Sequence, residues 1–366
     1  MSDTDLLQTP FHNWHAANGG RMVEFGGWHM PVQYSTIVEE HNVVRNSVGL
    51  FDISHMGRLR FSGDDDCSFL DYLLTNDVSK LKVGQVRYSL VCNENGGVLD
   101  DVLVYRLPDC YMLVVNASNR TKIVDWIGQH ISKFAVDFQD QTLSHAMIAV
   151  QGPKAVEILA ALGADTAAEH RYYSASPMTV AGMDALVSRT GYTGEDGFEL
   201  IVPSDAGMGL WNQLLEAGQP FNVQACGLGC RDTLRLEAAM PLYGHELNEN
   251  IDPLTAGLNF AVKLKAADFI GRDALVKVVE SPTDKVRVGL ELEGKRIARE
   301  GAEVFSNDRR VGEVTSGTFS PTLQKAIAMG YVGTAESATG TEVDIDIRGK
   351  RHAAQVVDLP FYRRAR

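Results

Sequence analysis

Hydrophobic and polar positions alternate most clearly around a predicted hairpin at residues 88–105. Two apolar runs flank an Asn-Gly-Gly turn at 95–97, and Asn and Gly tolerate the positive φ that a tight turn requires. Two adjacent carboxylates, Asp100 and Asp101, interrupt the second run. Because neighbouring strand residues face opposite sides of a sheet, one of the two must point into an interior or a cleft. A carboxylate in such a place has to be paired, hydrogen-bonded or used in catalysis.

Helical and strand patterns alternate along the rest of the first 280 residues. Thr36 and Glu39 form a capping box, which predicts a helix that ends before Gly49. Apolar periodicity predicts further helices at 64–74, 121–132 and 155–162, and strands at 58–61, 111–115 and 147–150. No nucleotide-binding glycine motif accompanies them, so we predict a mixed α+β fold rather than a doubly wound one.

In the last part of the chain, apolar and polar residues alternate strictly, and the helical pattern is no longer present. Apolar residues occupy every second position at 286–292 and 343–347, and turn signals lie at 307–308 and 348–350. This pattern predicts a small all-β domain, most simply a barrel. We therefore divide the chain into domains at 1–280 and 285–366, with the linker at Ser-Pro-Thr-Asp, 281–284.

Composition and charge narrow the class of protein. The net charge of −13 argues against a general nucleic-acid binder, and no apolar run approaches the roughly 18 residues that span a bilayer. The acidic start has neither the basic region of a secretory signal nor the arginine-rich helix of a transit peptide, so we expect a cytoplasmic protein. The five scattered cysteines favour free thiols in a reducing compartment. Cys226 and Cys230 have no second ligand pair nearby in sequence, so we predict no metal site.

Strand parity does not choose between Asp100 and Asp101, because both faces of their strand are apolar. A salt bridge or a turn cap explains the pair as well as catalysis does. Glu199 lies on the strand face opposite Phe198 and Leu200. Its carboxylate would match the two parallel N–H donors of an aminopyrimidine, although a solvent-facing glutamate is the ordinary case.

Arg231 and Arg235 lie one helical turn apart, just after a glycine-rich segment that precedes a helix. A cationic face at a helix start suits a carboxylate ligand. A salt-bridge network with Asp232 and Glu237 is the ordinary interpretation, and the pattern alone leaves both open.

Seven segments, taken together and in order, resemble the aminomethyltransferase family, the T proteins of the glycine cleavage system. They are MVEFGGW (22–28), FDISHM (51–56), NENGGVLDD (93–101), VQGP (150–153), RTGYTGE (189–195), GLGCRD (227–232) and TSGTFSP (315–321). One such segment is a weak signal, whereas seven in the family's order are specific and cover essentially the whole chain.

The resemblance implies a fold and a reaction. The fold is a folate-binding α+β body of two interleaved mixed α/β lobes, followed by a C-terminal β-barrel. In the reaction, tetrahydrofolate is the co-substrate and takes the methylene of an aminomethyl group held on the lipoyl arm of the H protein. The products are ammonia, 5,10-methylenetetrahydrofolate and the dihydrolipoyl H protein. Neither a metal nor a membrane takes part.

The resemblance also implies roles for individual residues. Asp101 matches the essential aspartate near folate N5, Glu199 the glutamate that holds the pterin ring, and Arg231 an arginine of the folate site. Four further positions of the site are matched by Tyr362, Tyr88, Asn116 and Tyr192. Position 240 is Met where some relatives carry an aromatic residue, so we expect one wall of the cavity to differ.

The partner and two rival functions stay open at this point. H proteins are usually acidic, so docking would need a local basic patch, for which the candidates are Arg296, Arg299, Arg309 and Arg310. A folate-dependent demethylase of the same superfamily would use a small N- or S-methyl substrate, and the segments at 93–97 and 191–195 fit it less well. A non-enzymatic folate-binding factor for iron–sulfur maintenance would carry a Lys-Gly-Cys-Tyr-type motif, but this sequence has no Cys beyond residue 230.

Overall fold

The computed structural model describes residues 6–364, so the acidic first residues used above lie outside it. The helices are α1 His12–Ala17, α2 Ile37–Asn46, α3 Asp66–Leu73, α4 Arg120–His130, α5 Ala155–Ala161, α6 Ser204–Gly218, α7 Leu228–Glu237 and α8 Arg272–Glu280. The first thirteen strands are β1 Arg21–Phe25, β2 Trp28–Gln33, β3 Gly49–Asp52, β4 Gly57–Ser62, β5 Val86–Cys92, β6 Val98–Arg106, β7 Tyr111–Val115, β8 Asp137–Asp140, β9 His145–Gln151, β10 Ala175–Val180, β11 Met183–Ser188, β12 Gly197–Pro203 and β13 Gln224–Ala225. The last six strands are β14 Lys285–Leu292, β15 Glu303–Ser306, β16 Arg309–Ser320, β17 Lys325–Gly333, β18 Glu342–Asp346 and β19 Arg351–Val357.

Two sheets build the body of the molecule. One has the strand order β10-β11-β12-β9-β3-β13, and the other has the order β5-β6-β7-β4-β8. The chain enters the first sheet at β3, leaves it to form all five strands of the second, and returns at β9 beside β3. The two lobes are therefore interleaved in sequence, which confirms the predicted mixed α+β body.

Helices bury the outer faces of both sheets. Trp211 and Leu214 of α6 pack on Ile148 and Leu200 of the six-stranded sheet, since the apolar stripe of the helix meets alternate strand residues. Across the other sheet, α3 and α4 bury Phe69 and Ile123 in the same way. The inner faces meet each other, through Phe51 and Met147 from one sheet and Tyr105 and Val114 from the other.

Local sequence signals explain the helix that borders both the body and the barrel. The predicted capping box is present, because Thr36 Oγ1 accepts the Glu39 N–H at 3.2 Å and the Glu39 carboxylate accepts the Thr36 N–H at 3.2 Å. Helix α2 ends at Asn46, before Gly49, as predicted. It packs along α7, so two helices carry their polar residues toward the barrel.

The last six strands close into a barrel in the order β14-β17-β16-β15-β18-β19. Its interior is filled by alternate apolar residues such as Leu290, Val314 and Ile345. Asn307 and Arg348 have φ values of +55° and +56°, in the two turns that the sequence indicated. The barrel is confirmed, whereas the division into domains at 280 and 285 stays a prediction. In residues 6–364 no helix combines the length and the apolar character that a membrane crossing requires.

Candidate active site

A cavity of about 970 Å³ lies where the two lobes meet the barrel. Strands of both sheets, helix α7, the segment 239–245 and β16 of the barrel contribute to its wall. Six of the predicted site residues line it, namely Tyr88, Asp101, Asn116, Tyr192, Glu199 and Arg231. The seventh, Tyr362, is not part of the wall. A cavity of this size is in the range for a drug-sized ligand.

The hairpin that carries the two aspartates is formed as the sequence predicts. Strands β5 and β6 are antiparallel, with Leu90 opposite Asp101, and Gly96 at the turn has a φ of +81°. A Cβ atom on Gly97 would lie 1.8 Å from the carbonyl oxygen of Glu249, so only glycine fits where the turn packs against that segment. The register shifts by one residue beside Asp100, which marks a bulge at the site.

The structure decides which aspartate faces the cavity. Asp100 lies on the strand face of Val102 and Val104, which pack into the core of the five-stranded sheet, and it is fully buried. Asp101 shares the opposite face with Leu103 and Tyr105, toward the other sheet, and it lines the cavity. The carboxylate available to a ligand is therefore that of Asp101.

Hydrogen bonds hold both carboxylates in place. Asp101 accepts from Tyr88 Oη at 3.1 Å and from Asn116 Nδ2 at 2.8 Å. Asp100 accepts from the Asn116 backbone N–H at 3.0 Å, from Asn116 Nδ2 at 2.8 Å and from Asn119 Nδ2 at 2.6 Å. A single amide group, that of Asn116, thus donates to both aspartates.

Burial governs the protonation of this pair. It raises the pKa of Asp100, and the neighbouring charge of Asp101 raises it further. Burial also raises the pKa of Asp101, although the hydrogen bonds from Tyr88 and Asn116 favour the anion and limit the rise. A carboxylate whose pKa lies nearer to neutrality than that of a free aspartate is a better proton acceptor at physiological pH.

Glu199 points from β12 into the same cavity and is only 5% exposed. Its Oε2 accepts from Thr190 Oγ1 at 2.5 Å, and its backbone carbonyl accepts from Ser188 Oγ at 3.2 Å. Burial raises the pKa of the carboxyl group, while the bond from Thr190 and the charge of Arg231 oppose that rise. Within residues 6–364 no other side chain donates to this carboxylate, which leaves acceptor capacity for a ligand.

Arg231 and Arg235 have different surroundings although they lie one turn apart on α7. Arg235 forms ion pairs with Asp232 at 2.8 Å and with Glu246 at 2.8 Å. Arg231 forms no ion pair with any described residue; its guanidinium lies 4.9 Å from the centre of the Tyr192 ring. Its Nη1 is buried and has no hydrogen-bond partner in the described part of the chain. The salt-bridge interpretation therefore holds for Arg235 with Asp232, but Glu246 takes the place predicted for Glu237, which pairs with Arg45 instead. Arg231 retains donors that face the cavity.

Aromatic residues that the sequence analysis missed complete the wall. Tyr173 lines it with a φ of +64°, and its backbone is bonded on both sides, to Val86 and to Arg189. Phe25 and Phe260 lie at the surface end of the cavity and are 38% and 61% exposed. The ring of Phe260 is 5.7 Å from that of Tyr88. A pattern of alternation cannot identify them, since Phe25 ends strand β1, Phe260 lies in a single turn of 3-10 helix and Tyr173 lies in a turn.

Tyr362 lies on the outside of the cavity wall. Its hydroxyl donates to Glu195 at 2.7 Å, and the Arg45 guanidinium lies 4.0 Å from the centre of its ring. Tyr192, by contrast, lines the cavity and donates to the Pro241 carbonyl at 2.5 Å. Met240 lines the cavity as well, at the position where an unusual wall was expected.

The four candidate docking arginines of the barrel do not share one environment. Arg309 pairs with Glu336, and Arg310 pairs with Glu303 and Glu313. Arg299 lies in the cavity wall. Arg296 is exposed, and neither it nor Arg299 forms an ion pair with a described residue. Paired charges contribute little net positive potential, so Arg296 and Arg299 are the stronger candidates of the set.

One cluster of potential metal ligands lies behind the cavity wall. The ligand atoms of Glu40, Cys226 and Cys230 are within 4.8 Å of one another, and all three residues are buried. The Glu40 carboxylate already accepts backbone N–H groups from Tyr34 at 2.6 Å and Gly227 at 2.8 Å. Burial raises the pKa of the Cys230 thiol well above its usual value. These contacts describe a packed carboxylate beside two buried thiols.

Similarity to known proteins agrees with this architecture. Residues 11–266 match the GCVT N-terminal domain, and residues 285–363 match the glycine cleavage T-protein C-terminal barrel domain. The chain is 49% identical to an aminomethyltransferase of Symbiobacterium thermophilum, with 98% of each chain covered. It is 46% identical to an aminomethyltransferase of Streptomyces coelicolor, with 100% of each covered. The crystal structure of glycine cleavage system aminomethyltransferase T from Bartonella henselae has a TM-score of 0.91 and 36% identity, with 98% of each chain covered.

Proposed function

This chain belongs to the aminomethyltransferase family of the glycine cleavage system, and from that premise we propose that its cavity binds tetrahydrofolate with Asp101 at the reacting nitrogen. The protein is a transferase enzyme of glycine cleavage, because relatives of this family match it over its full length. The positions of folate and of the lipoyl arm, and the role of each residue, are the proposal.

The cavity residues fit a folate. A pterin presents parallel N–H donors, and Glu199 has acceptor capacity left in a buried position. Folate also carries carboxylates, and the buried Nη1 of Arg231 lacks a partner among the described residues. Tyr88, Tyr192 and Asn116 supply the wall between these two charged residues.

Asp101 carries the chemistry in this proposal. When bound, tetrahydrofolate supplies the secondary amine N5 that accepts the one-carbon unit. A nitrogen that forms a new C–N bond gains positive charge and must lose a proton. The Asp101 carboxylate, held by Tyr88 and Asn116, stabilises that charge and accepts the proton as an anion, without forming a covalent bond.

The other cavity residues bind the ligand and limit its contact with solvent. Glu199 and Arg231 fix the orientation of the ligand, so that the acceptor amine meets Asp101 rather than another wall residue. A thioaminal on a lipoyl arm is sensitive to water, and the aromatic end of the cavity formed by Phe25 and Phe260 limits solvent access as the arm enters. The partner that delivers the arm is the lipoylated H protein. The five free thiols support a cytoplasmic location for this reaction.

Both rival functions are weaker than this one. Full-length relatives at 46–49% identity are aminomethyltransferases, which disfavours a demethylase of small methylated substrates. A non-enzymatic folate-binding factor would not require the Asp101 carboxylate to lie in this cavity between two hydrogen-bond donors. The position of that carboxylate is the observation on which the proposed mechanism rests.

The test is the Asp101→Asn variant with lipoylated H protein as substrate. Loss of a positioned general base lowers turnover by about 10²- to 10⁴-fold. Folate affinity, measured by titration calorimetry, should stay close to that of the unaltered enzyme, because Glu199 and Arg231 remain. Ammonia release at the normal rate in a folded Asp101→Asn protein would remove Asp101 from the mechanism.

A further inference from the structure

Asp100 is a buried carboxylate that the mechanism above does not use. It is fully buried, and no described cation forms an ion pair with it. Instead it accepts three hydrogen bonds, one from Asn119 and two from Asn116. A buried charge balanced only by neutral amides is costly, so its presence beside Asp101 calls for a physical reason.

The amide of Asn116 connects the two aspartates. Its Nδ2 carries two hydrogens, and it lies 2.8 Å from Asp100 Oδ1 and 2.8 Å from Asp101 Oδ1. Ionised carboxylates only accept hydrogen bonds, so the amide must present its NH₂ group to them. Its carbonyl Oδ1 is then left without a partner among the described residues, on a residue that lines the cavity.

We propose that Asp100 is a positioning residue, which acts through Asn116 to hold the Asp101 carboxylate in place and to keep the Asn116 carbonyl turned toward the reacting amine. Two contacts from Asp100 fix Asn116, one to its backbone N–H and one to its side chain. The bond from Asn119 in turn holds Asp100. This inference rests on the proposed function, since it assigns Asn116 Oδ1 as an acceptor for an amine of the substrates.

The charge of Asp101 also raises the pKa of Asp100. The groups that face Asp101 are Tyr88, Tyr173, Tyr192, Glu246 and Asp100. Glu246 is paired with Arg235, so Asp100 is the nearest carboxylate without a cation. On its other side Asp100 faces Tyr243, which accepts a hydrogen bond from Lys122. Two carboxylates this close do not ionise independently, so Asp100 and Asp101 titrate as a coupled pair.

The experiment is the Asp100→Asn variant, assayed with lipoylated H protein over a range of pH. Asparagine has the same shape but presents an NH₂ group to the donors of Asn116, so Asn116 loses its fixed orientation. We expect kcat to fall about 10- to 100-fold, as for a small misplacement of a reacting group. The KM for tetrahydrofolate should stay within about threefold, because Glu199 and Arg231 supply the binding. The acidic limb of the kcat profile should change from the two-step shape of a coupled pair to the single step of one carboxyl group.

Asp52→Asn is the matched control. Asp52 is also a buried carboxylate, bonded to His15 at 2.9 Å, but it does not line the cavity. Its loss should lower stability and leave the acidic limb in place. The proposal is overturned if folded Asp100→Asn enzyme keeps the wild-type kcat and the wild-type acidic limb, or if Asp52→Asn changes that limb equally.

Two measurements keep the proposal testable if Asp100→Asn does not fold. In the unaltered enzyme, carboxyl ¹³C resonances of Asp100 and Asp101 should titrate as a coupled pair in two steps, whereas a single step near the value of a free aspartate contradicts the proposal. Replacing Asn116 by Ala should move the acidic limb to higher pH, because the variant loses the hydrogen bond that favours the Asp101 anion. If the wild-type enzyme shows no folate-dependent turnover at all, the proposed function is wrong. The carboxyl titration would still show whether Asp100 and Asp101 are coupled.

Discussion

Two of the regions where buried charges gather are the cavity and the contact between α7 and the barrel. In the second region, which we term the junction cluster (His41, Arg45, Glu195, Glu237 and Tyr362), every charge has a partner. Arg45 pairs with Glu237 at 2.7 Å and with Glu195 at 3.0 Å. Glu237 also accepts from Thr322 Oγ1 at 2.8 Å and lies 3.3 Å from His41. In the cavity, by contrast, Asp101, Glu199 and Arg231 form no ion pairs with described residues.

The difference shows what each region is for. Buried charges must be compensated, and the junction cluster is compensated by the chain itself, so it holds the barrel against the body. The cavity charges keep unused donors and acceptors in a largely buried site, which suits a ligand that brings the complementary groups. Both regions share helix α7, which carries Arg231 into one and Glu237 into the other.

The largest expected effect is a loss of stability when the junction cluster is disrupted. Replacing Glu237 by Ala leaves Arg45 and His41 without their shared partner, and removal of one member of a buried pair costs about 3–5 kcal/mol of the free energy of unfolding. Urea denaturation measures this loss. Glu342→Ala, an exposed strand position of the barrel, serves as the control and should change stability by less than about 0.5 kcal/mol. A Glu237→Ala protein as stable as the control would show that the junction cluster does not hold the barrel in place.

Acid should weaken the same cluster. Burial alone would raise the pKa of Glu237, but the hydrogen bond and charge of His41, with Ser320 and Arg45, lower it to about 2. A carboxyl group whose pKa is lowered by folding stabilises the protein above its unfolded value of 4.5, and that contribution is lost as the pH falls toward 2. Stability measured from pH 6 down to pH 2 should therefore decline through this window. Glu237→Gln should flatten that part of the decline, and an unchanged curve would exclude Glu237 as its source.

A smaller effect is expected on binding at the cavity. Replacing Glu199 by Ala should weaken tetrahydrofolate binding by roughly 1.5–3 kcal/mol, the range for hydrogen bonds to a charged group. The stability of the Glu199→Ala variant should change little or rise, because the removed carboxylate has one donor, Thr190, among the described residues. Titration calorimetry and thermal unfolding on one preparation separate the two quantities. Unchanged affinity would contradict the role given to Glu199.

The smallest effect is expected from changing Tyr362, and it tests whether this residue belongs to the junction cluster or to the cavity. Tyr362→Phe removes the bond to Glu195, and we expect a stability loss of roughly 1–2 kcal/mol with unchanged folate affinity. The family resemblance instead implies a contact with substrate. Weaker folate binding in Tyr362→Phe would therefore transfer this residue from the junction cluster to the binding site.

Local signals in the sequence were sufficient for much of the fold. The Asn-Gly-Gly turn predicted the β5–β6 hairpin, and the Thr36–Glu39 capping box predicted the start of α2, because both depend on residues close together in the chain. The alternation at 286–292 likewise predicted β14 of the barrel. The local sequence of each of these elements is therefore sufficient to predict it.

The site could be predicted only in part, because its geometry depends on distant packing. Parity could not choose between Asp100 and Asp101, since one apolar face packs on a core and the other borders the cavity. The partners of Arg235 include Glu246 and Ser316, which lie far along the chain, so no spacing rule distinguishes Arg235 from Arg231. Tyr173 reaches the cavity through a left-handed backbone that no propensity indicates.

The pairing of β3 with β9 has a consequence for how the protein is made. During synthesis, strand β3 cannot pair with β9 until nearly a hundred further residues have been made. This is about the separation of Leu50 from Val150. The six-stranded sheet therefore cannot be completed until the whole five-stranded sheet, which is inserted between β3 and β9, has been synthesised. Truncation within 57–140 is thus expected to leave an insoluble fragment with an open sheet edge rather than one working lobe.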